Sequence, residues 1–264
     1  DFQTYDLLTV AAGINSSVAK LFEKLEFGYQ PPEATKTFIC EYYLGSDVIE
    51  KDLGSSMHVF LLNIPRLEFA AIIPKGDYAT VCMLGDDIDK NLIDAFLESA
   101  EVKNCMPNNW SGQLRSCNCL PRINVAGAIR PYTDRIVFIG DCGITRLYKD
   151  GIGAAYRTAK AAASTAVFQG ASAEDFDRYF MPICNGINRD NSIGKLNFLV
   201  TKLIQKLQFT RRALLRMTIM EQEMEGYERR MSMVLWDMFT GSAPYIEIFK
   251  RTLHPKFMGV FLWN

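Results

Sequence analysis

Residues 5–10 read YDLLTV, an apolar run that predicts a buried strand and closes on the small residues Ala11, Ala12 and Gly13. Ser16 or Ser17 is placed to cap a short helix over 22–25, which Pro31 and Pro32 bring to an end. Four β-branched or aromatic runs follow, at 37–44 (TFICEYYL), 57–64 (MHVFLLNI), 69–73 (FAAII) and 78–84 (YATVCML), parted by Gly, Pro, Asp and Ser. Lys75-Gly76-Asp77 between the last two predicts a tight antiparallel hairpin. At 88–98 the period becomes helical, with Ile88, Leu92, Ile93, Phe96 and Leu97 on one face. Residues 104–119 are turn-rich, strands are expected at 123–129 and 135–139 (RIVFI), and an alanine-rich helix is expected at 152–168. From 174 onward the pattern is helical, so the chain reads as α+β: a mainly antiparallel sheet block followed by a C-terminal helical region.

Composition narrows the class. Of 264 residues, 48% are hydrophobic and 22% charged, which suits a globular protein with a sizeable core and excludes disorder, collagen and coiled coil. The 29 basic and 30 acidic residues leave a formal charge of -1, so no global field recruits nucleic acid. Seven scattered cysteines (40, 82, 105, 117, 119, 142, 184) are an odd count that argues against a disulfide scaffold and for a reducing cytoplasm. Cys117-x-Cys119 near Cys105 lacks zinc spacing and a matching His or Cys pair, no four-cysteine cluster set is present, and His58 and His254 sit in no catalytic pattern. No metal site is expected. No run approaches the roughly 18 apolar residues of a spanning helix. Residues 195–216, however, hold Lys195, Lys202, Lys206, Arg211, Arg212 and Arg216 with no acidic residue. Leu196, Leu199, Val200, Leu203, Ile204 and Leu207 fall at helical spacing, with the lysines on or beside the other face. Such a helix either packs its apolar face on the core or rests on anionic lipid, which would make the protein peripherally membrane-bound.

The densest chemistry follows the RIVFI strand: Gly140-Asp141, a loop, then Asp150-Gly151-Ile152-Gly153 opening the alanine-rich helix. A glycine at a strand's carboxyl end lets a ligand approach the backbone, and a carboxylate there accepts hydrogen bonds from polyol hydroxyls. A helix that starts at glycine offers unpaired N–H groups and a positive dipole end to an electron-rich ligand. Each dipeptide alone is also an ordinary turn or helix start. In this order they describe a pocket for a polyhydroxylated, anionic cofactor.

Residues 135–163 resemble the second flavin-binding motif of the flavoprotein superfamily that contains p-hydroxybenzoate hydroxylase and the geranylgeranyl reductases. The resemblance implies FAD as cofactor, Asp141 on its ribityl chain, backbone contacts from Gly140, Gly151 and Ile152, and a helix end that stabilises reduced, anionic flavin. Residues 6–18 (DLLTVAAGINSSV) are similar to the superfamily's Asp-Gly…Ser segment through Gly13, Asn15 and Ser17, although Ala12 replaces the motif's Asp, and Ala19 or Lys20 stands where Arg is often found. This adds Gly13 and Asn15 as cofactor contacts. Residues 67–84 (LEFAAIIPKGDYATVCML) resemble the strand and hairpin along the substrate cavity of the geranylgeranyl reductase branch, which implies substrate contacts at Phe69, Ala71, Ile73 and Pro74. The tryptophans of the related strand in flavin halogenases are missing.

On this resemblance residues 1–30 are expected to be the remnant of a Rossmann-like FAD-binding domain, 31–120 the substrate domain, 121–172 a second FAD-binding segment and 173–264 a helical region. The chain contains no Gly-x-Gly-x-x-Gly loop, so a C-terminal part of a longer flavoprotein is expected. The implied activity is reduction of an isoprenoid carbon–carbon double bond with a reduced electron donor. Tyr42, Tyr43, Tyr78 and Cys142 are the candidate general acids. Aromatic-ring monooxygenation, and a non-catalytic module that binds a lipid or a protein, remain the alternatives.

Overall fold

Residues 3–108, 110, 115–223 and 228–255 are described by the computed structural model, an α+β chain divided into two units, 1–34 with 123–264, and 35–122. Strand β1 (Leu8–Val10) and helix α1 (Ala19–Glu23) open the first unit. Strand β2 (Glu33–Tyr43) carries the chain into the second, through α2 (Ser46–Val48) with a π-helical turn over Ile49–Leu53, β3 (His58–Phe60), β4 (Leu67–Lys75), β5 (Tyr78–Gly85), α3 (Lys90–Leu97), α4 (Ala100–Cys105) and β6 (Arg115–Cys119). Strands β7 (Arg122–Ala126), β8 (Tyr132–Thr133) and β9 (Ile136–Phe138) lead back to helices α5 (Gly151–Phe168), α6 (Ala173–Asp175) with a π-helical turn over Phe176–Phe180, α7 (Met181–Lys206), α8 (Gln208–Glu223), α9 (Arg230–Thr240) and α10 (Tyr245–Thr252).

The second unit is built on an antiparallel sheet ordered β3-β4-β5-β2-β6. The expected hairpin joins β4 and β5, pairing Lys75 with Tyr78 across a two-residue loop whose Gly76 has φ 59°. A positive φ at the first loop position matches the strands' twist, and glycine adopts it without cost. One sheet face (Phe38, Cys40, Tyr42, Ile72, Val81, Met83) packs with Leu92, Ile93 and Phe96 of α3, the helical face read from the sequence. Asp89 caps that helix, its side chain accepting from Leu92 N at 2.8 Å. The segment 46–53 and α4 were not foreseen, and β6 runs through residues read as turns. RSCNC carries no apolar signal; pairing with β2 makes it a strand. The side chain of Cys117, half of the Cys117–Cys119 pair, lies outside the described residues.

In the first unit β1 lies parallel to β9, with Leu8 opposite Ile136 and Val10 opposite Phe138, and β8 pairs antiparallel on the other side of β9. The expected buried strand over 5–10 is shorter and mostly uncovered: only Val10 is buried, while Leu8 is 49% exposed. The expected serine cap is also absent. Ser16 accepts instead from Val18 N at 3.1 Å, a turn ahead of α1, and α1 has no side-chain cap. Val10, Ala19, Tyr29, Ala128, Phe138 and Cys142 form a small core around Tyr29, stacked on Phe138 at 3.9 Å between ring centroids.

Residues 195–216 are not one helix with its apolar face inward. The helix breaks at Leu207 (φ -101°, ψ 115°), and α7 buries Asn191, Gly194, Asn197, Phe198 and Gln205. Leu196, Leu199, Val200 and Leu203 are exposed, on the same side as Lys195 and Lys206. Polar partners explain the inversion: Asn191 bonds Leu147 N and Thr145 O, and Asn197 donates to Tyr245 O. Among the described residues no helix is long and apolar enough to cross a membrane.

Candidate functional site

Parallel pairing of β1 and β9 puts the carboxyl ends of both strands on one sheet edge, the side on which open α/β sheets hold ligands. Both predicted cofactor segments begin there. Ile139 N donates to Val10 O at 3.0 Å, and the Cys142 thiol lies 3.2 Å from the same carbonyl. The turn after β1 and the Gly140–Cys142 turn after β9 are therefore neighbours. Gly13 (φ 70°) sits in the former, where only its backbone angle calls for glycine, since an added Cβ would meet nothing within 4 Å. Asn15, two residues on, is exposed.

Gly140 (φ 62°) turns the chain toward α5, where a Cβ would come 3.2 Å from Ala155 Cβ. Its N–H donates to the hydroxyl of Thr158, which is fully buried, at 3.0 Å. Gly143 cannot carry a side chain at all, because its Cβ would lie 2.6 Å from Phe138 O. These contacts fix the peptide between them, and the half-buried Asp141 carboxylate ends beside the start of α5: a Cβ on Gly151 would stand 3.5 Å from Asp141 Oδ1. The carboxylate thus lies against the first residue of the helix.

Asp150, in the left-handed region at φ 56°, is the N-cap of α5, its side chain accepting from Gly153 N at 3.1 Å. A Cβ on Gly153 would fall 2.2 Å from Asp150 Oδ1, so the cap requires glycine there. Gly151 and Ile152 make no hydrogen bond through N–H to any described residue, and the Ile152 side chain is 90% exposed. The negative Asp150 does not cancel this positive end, because Arg146 at 3.7 Å and Arg157 at 3.3 Å share its carboxylate.

The 144–150 loop that delivers Asp150 is held by the C-terminal helices. Buried Arg146 donates to Gly241 O at 2.5 Å and to Ala243 O, lies 3.6 Å from Asp190, and stacks 4.6 Å over the Tyr245 ring. Asp190 in turn caps α10 through Tyr245 N and Ile246 N, each at 3.0 Å. The Tyr245 hydroxyl donates to Leu147 O at 2.6 Å, and its burial pushes the phenol's pKa up. Thr158, Arg146, Asn191 and Tyr245 were not singled out from the sequence. An arginine in an ordinary loop and an asparagine within a helix carry no local signal of what they bond.

Two buried polar atoms of the first unit lack a hydrogen-bond partner among the described residues: Asn124 Oδ1, whose amide nitrogen donates to Asp141 O at 3.0 Å, and Thr145 Oγ1. Orphaned buried acceptors of this kind call for a water or a ligand. The free N–H groups at 151 and 152 and the Asp141 carboxylate fit a group rich in hydroxyls and ring heteroatoms, as FAD is. Cys142 is less apt for chemistry. It is fully buried, it faces the carbonyls of Val10 and Ile139, and burial pushes its thiol pKa up.

In the second unit, strand alternation puts Phe69, Ala71 and Ile73 on the sheet face opposite the core, across from Leu84, Cys82 and Thr80. Pro74 follows the other parity and falls on the core side. Tyr42 is in the core, while Tyr43 and Tyr78 meet edge-to-face at 5.4 Å by the hairpin. A separate open cleft of about 590 Å³, lined by residues including Asp47, Lys51, Asp52, Asn104 and Cys105, contains none of the predicted site residues. Among the described residues no group of three or more His, Cys, Asp or Glu side chains is placed to hold a metal ion.

No family model matches the chain, and no curated protein matches it. Among solved structures it is similar to the rebeccamycin biosynthetic enzyme RebC with reduced flavin, at 13% identity over 71% of this chain and 36% of that one, TM-score 0.49. It is also similar to CmlS, a flavin-dependent halogenase, at 14% identity over 97% of this chain and 44% of that one, TM-score 0.42. A third is p-nitrophenol 4-monooxygenase PnpA from Pseudomonas putida DLL-E4, at 14% identity over 76% and 55%, TM-score 0.42. The chain spans between about a third and just over half of the length of these structures.

Proposed function

We propose that this chain is part of a FAD-dependent oxidoreductase that reduces carbon–carbon double bonds of an isoprenoid, geranylgeranyl-type substrate. The observation that carries the cofactor assignment is the Asp141 carboxylate beside the open N-terminus of α5, at the carboxyl ends of the parallel β1 and β9. Asp141, Gly140 and the N–H groups of Gly151 and Ile152 would hold FAD, the carboxylate taking its ribityl hydroxyls and the helix end its flavin ring. Bound FAD supplies hydride transfer. The positive end of α5, kept by the Arg146 and Arg157 pairs to Asp150, favours the negative charge that flavin gains on reduction.

The substrate class rests on the resemblance of 67–84 and on the apolar face of Phe69, Ala71 and Ile73, which excludes water from a hydrocarbon chain. Double-bond reduction needs a hydride at one carbon and a proton at the other. Tyr42 is enclosed in the core and burial pushes the Cys142 thiol's pKa up, which leaves Tyr43 and Tyr78 of the four candidates.

Replacement of Asp141 by Ala is expected to weaken flavin binding, measured by fluorescence titration, by roughly tenfold to a hundredfold, since a hydrogen bond to a charged group is worth about 1.5–3 kcal/mol. A folded Asp141→Ala variant with unchanged flavin affinity would sink the cofactor assignment. Anaerobic reduction of a geranylgeranyl lipid tests the substrate class. Oxygen-dependent hydroxylation of an aromatic ring instead would replace it by monooxygenation.

A further inference from the structure

We infer that the outer face of α7 and α8 is a docking surface for an anionic lipid bilayer. At the spacing of one helix side, α7 exposes Leu196, Leu199 and Leu203 with Val200 beside them, and Leu199 and Leu203 are 55% and 53% accessible. Lys195 and Lys206 stand exposed along one margin of this stripe. Past the break at Leu207, α8 exposes Phe209 (69%), Arg212, Leu215, Arg216 and Ile219, while Thr210, Ala213, Met217 and Glu221 are buried.

Solvent alone does not favour this arrangement, because α7 turns asparagines and glutamine inward and leucines outward. The inward side is bonded to the 144–150 loop and α10 through Asn191 and Asn197, and none of these bonds involves the leucine side chains. Charge decides between the occupants such a stripe admits. Residues 191–220 contain six basic residues and no acidic one, in a chain whose formal charge is -1. A second copy would bring an identical basic margin against this one and be repelled. An anionic bilayer offers the complementary charge and a hydrocarbon layer for the leucines, and cationic residues beside outward apolar ones are how interfacial helices bind.

Co-sedimentation of the full chain with vesicles tests this. The chain is expected to pellet with phosphatidylcholine vesicles containing phosphatidylserine, to stay largely in solution with phosphatidylcholine alone, and to be released by raised salt. Leu199→Gln with Leu203→Gln is expected to lower the partition by about tenfold or more. Lys195→Glu with Lys206→Glu is expected to do the same while weakening the salt dependence. Both variants change exposed side chains only, and thermal melts check that they fold as the parent does. Failure of the folded parent to bind phosphatidylserine vesicles would overturn the inference. So would binding that both folded variants retain in full, and so would a dimer that the leucine variant dissociates in a chain that ignores vesicles.

Discussion

The site's geometry is set by single polar groups that tie two segments together, and Thr158 is the clearest of them. Its hydroxyl accepts from Gly140 N and donates to Ala154 O, tying the turn after β9 to the second turn of α5. Thr158→Val keeps the shape and removes the acceptor, leaving the Gly140 N–H buried and unpaired. A loss of about 1–3 kcal/mol in unfolding free energy is expected by urea titration, the cost of an unsatisfied buried donor. Gly153 offers a second test. Its Cβ would strike the tip of the Asp150 side chain, so Gly153→Ala expels the cap rather than breaking the helix. About 1 kcal/mol of stability should go with it, and flavin affinity should change as Asp150 leaves the positive helix end. Unchanged stability and affinity would show that Asp150 does not act as the cap. Glycines 140, 151 and 153 could be read from the sequence because a dipeptide signals its own backbone need. Thr158 could not, since its partner lies 18 residues away.

The elements divide the same way between local and distant causes. Helix α3 was legible because its apolar period and its cap lie within its own residues, and the hairpin because Lys75-Gly76-Asp77 is a local turn signal. The exposure of β1 and the inverted facing of α7 were not, because what covers or uncovers them is supplied by remote parts of the chain. Gly194 of α7 shows the scale of such remote constraints: its added Cβ would lie 2.6 Å from the Tyr245 ring on α10. That ring is fully buried, lies under Arg146, and is tethered through its hydroxyl to Leu147 O, so it has little room to yield. By helix propensity alone Gly194→Ala should stabilise by up to about 1 kcal/mol. Overpacking here costs about 1–3 kcal/mol, so the midpoint of urea unfolding is expected to fall. The same variant should disturb the 144–150 loop, visible as a lower affinity for flavin. A raised midpoint would show that α10 slides freely on α7, and the clamp on the loop would then lose its basis.

Over the whole molecule, alkaline pH reads how tightly the first unit is sealed. Tyr132 is held in its core, its hydroxyl donating to Asp177 Oδ1 at 2.5 Å, and burial followed by that bond raises its pKa from 10.0 to about 12. Burial alone pushes Cys184, in the same core, from 9.0 to about 12. Both groups hold their protons more tightly when folded. The stabilisation is therefore complete below the unfolded values and is lost as pH rises from about 9 for the thiol, and from about 10 for the phenol, toward about 12 in each case. Unfolding free energy measured in urea should accordingly decline across that window. Tyrosinate absorbance at Tyr132 should appear with unfolding and not ahead of it. Tyr132→Phe removes one contribution of this sign, beside those of Cys184, Cys142 and Tyr245, so its stability should fall less steeply above pH 10 than the parent's even though it starts lower for want of the Asp177 bond. A parent curve that stays flat to pH 12 would mean that water already reaches this core, and the packing of β8 and β9 against the α5 and α7 helices would have to be looser than the contacts of Tyr132, Phe176 and Phe180 require.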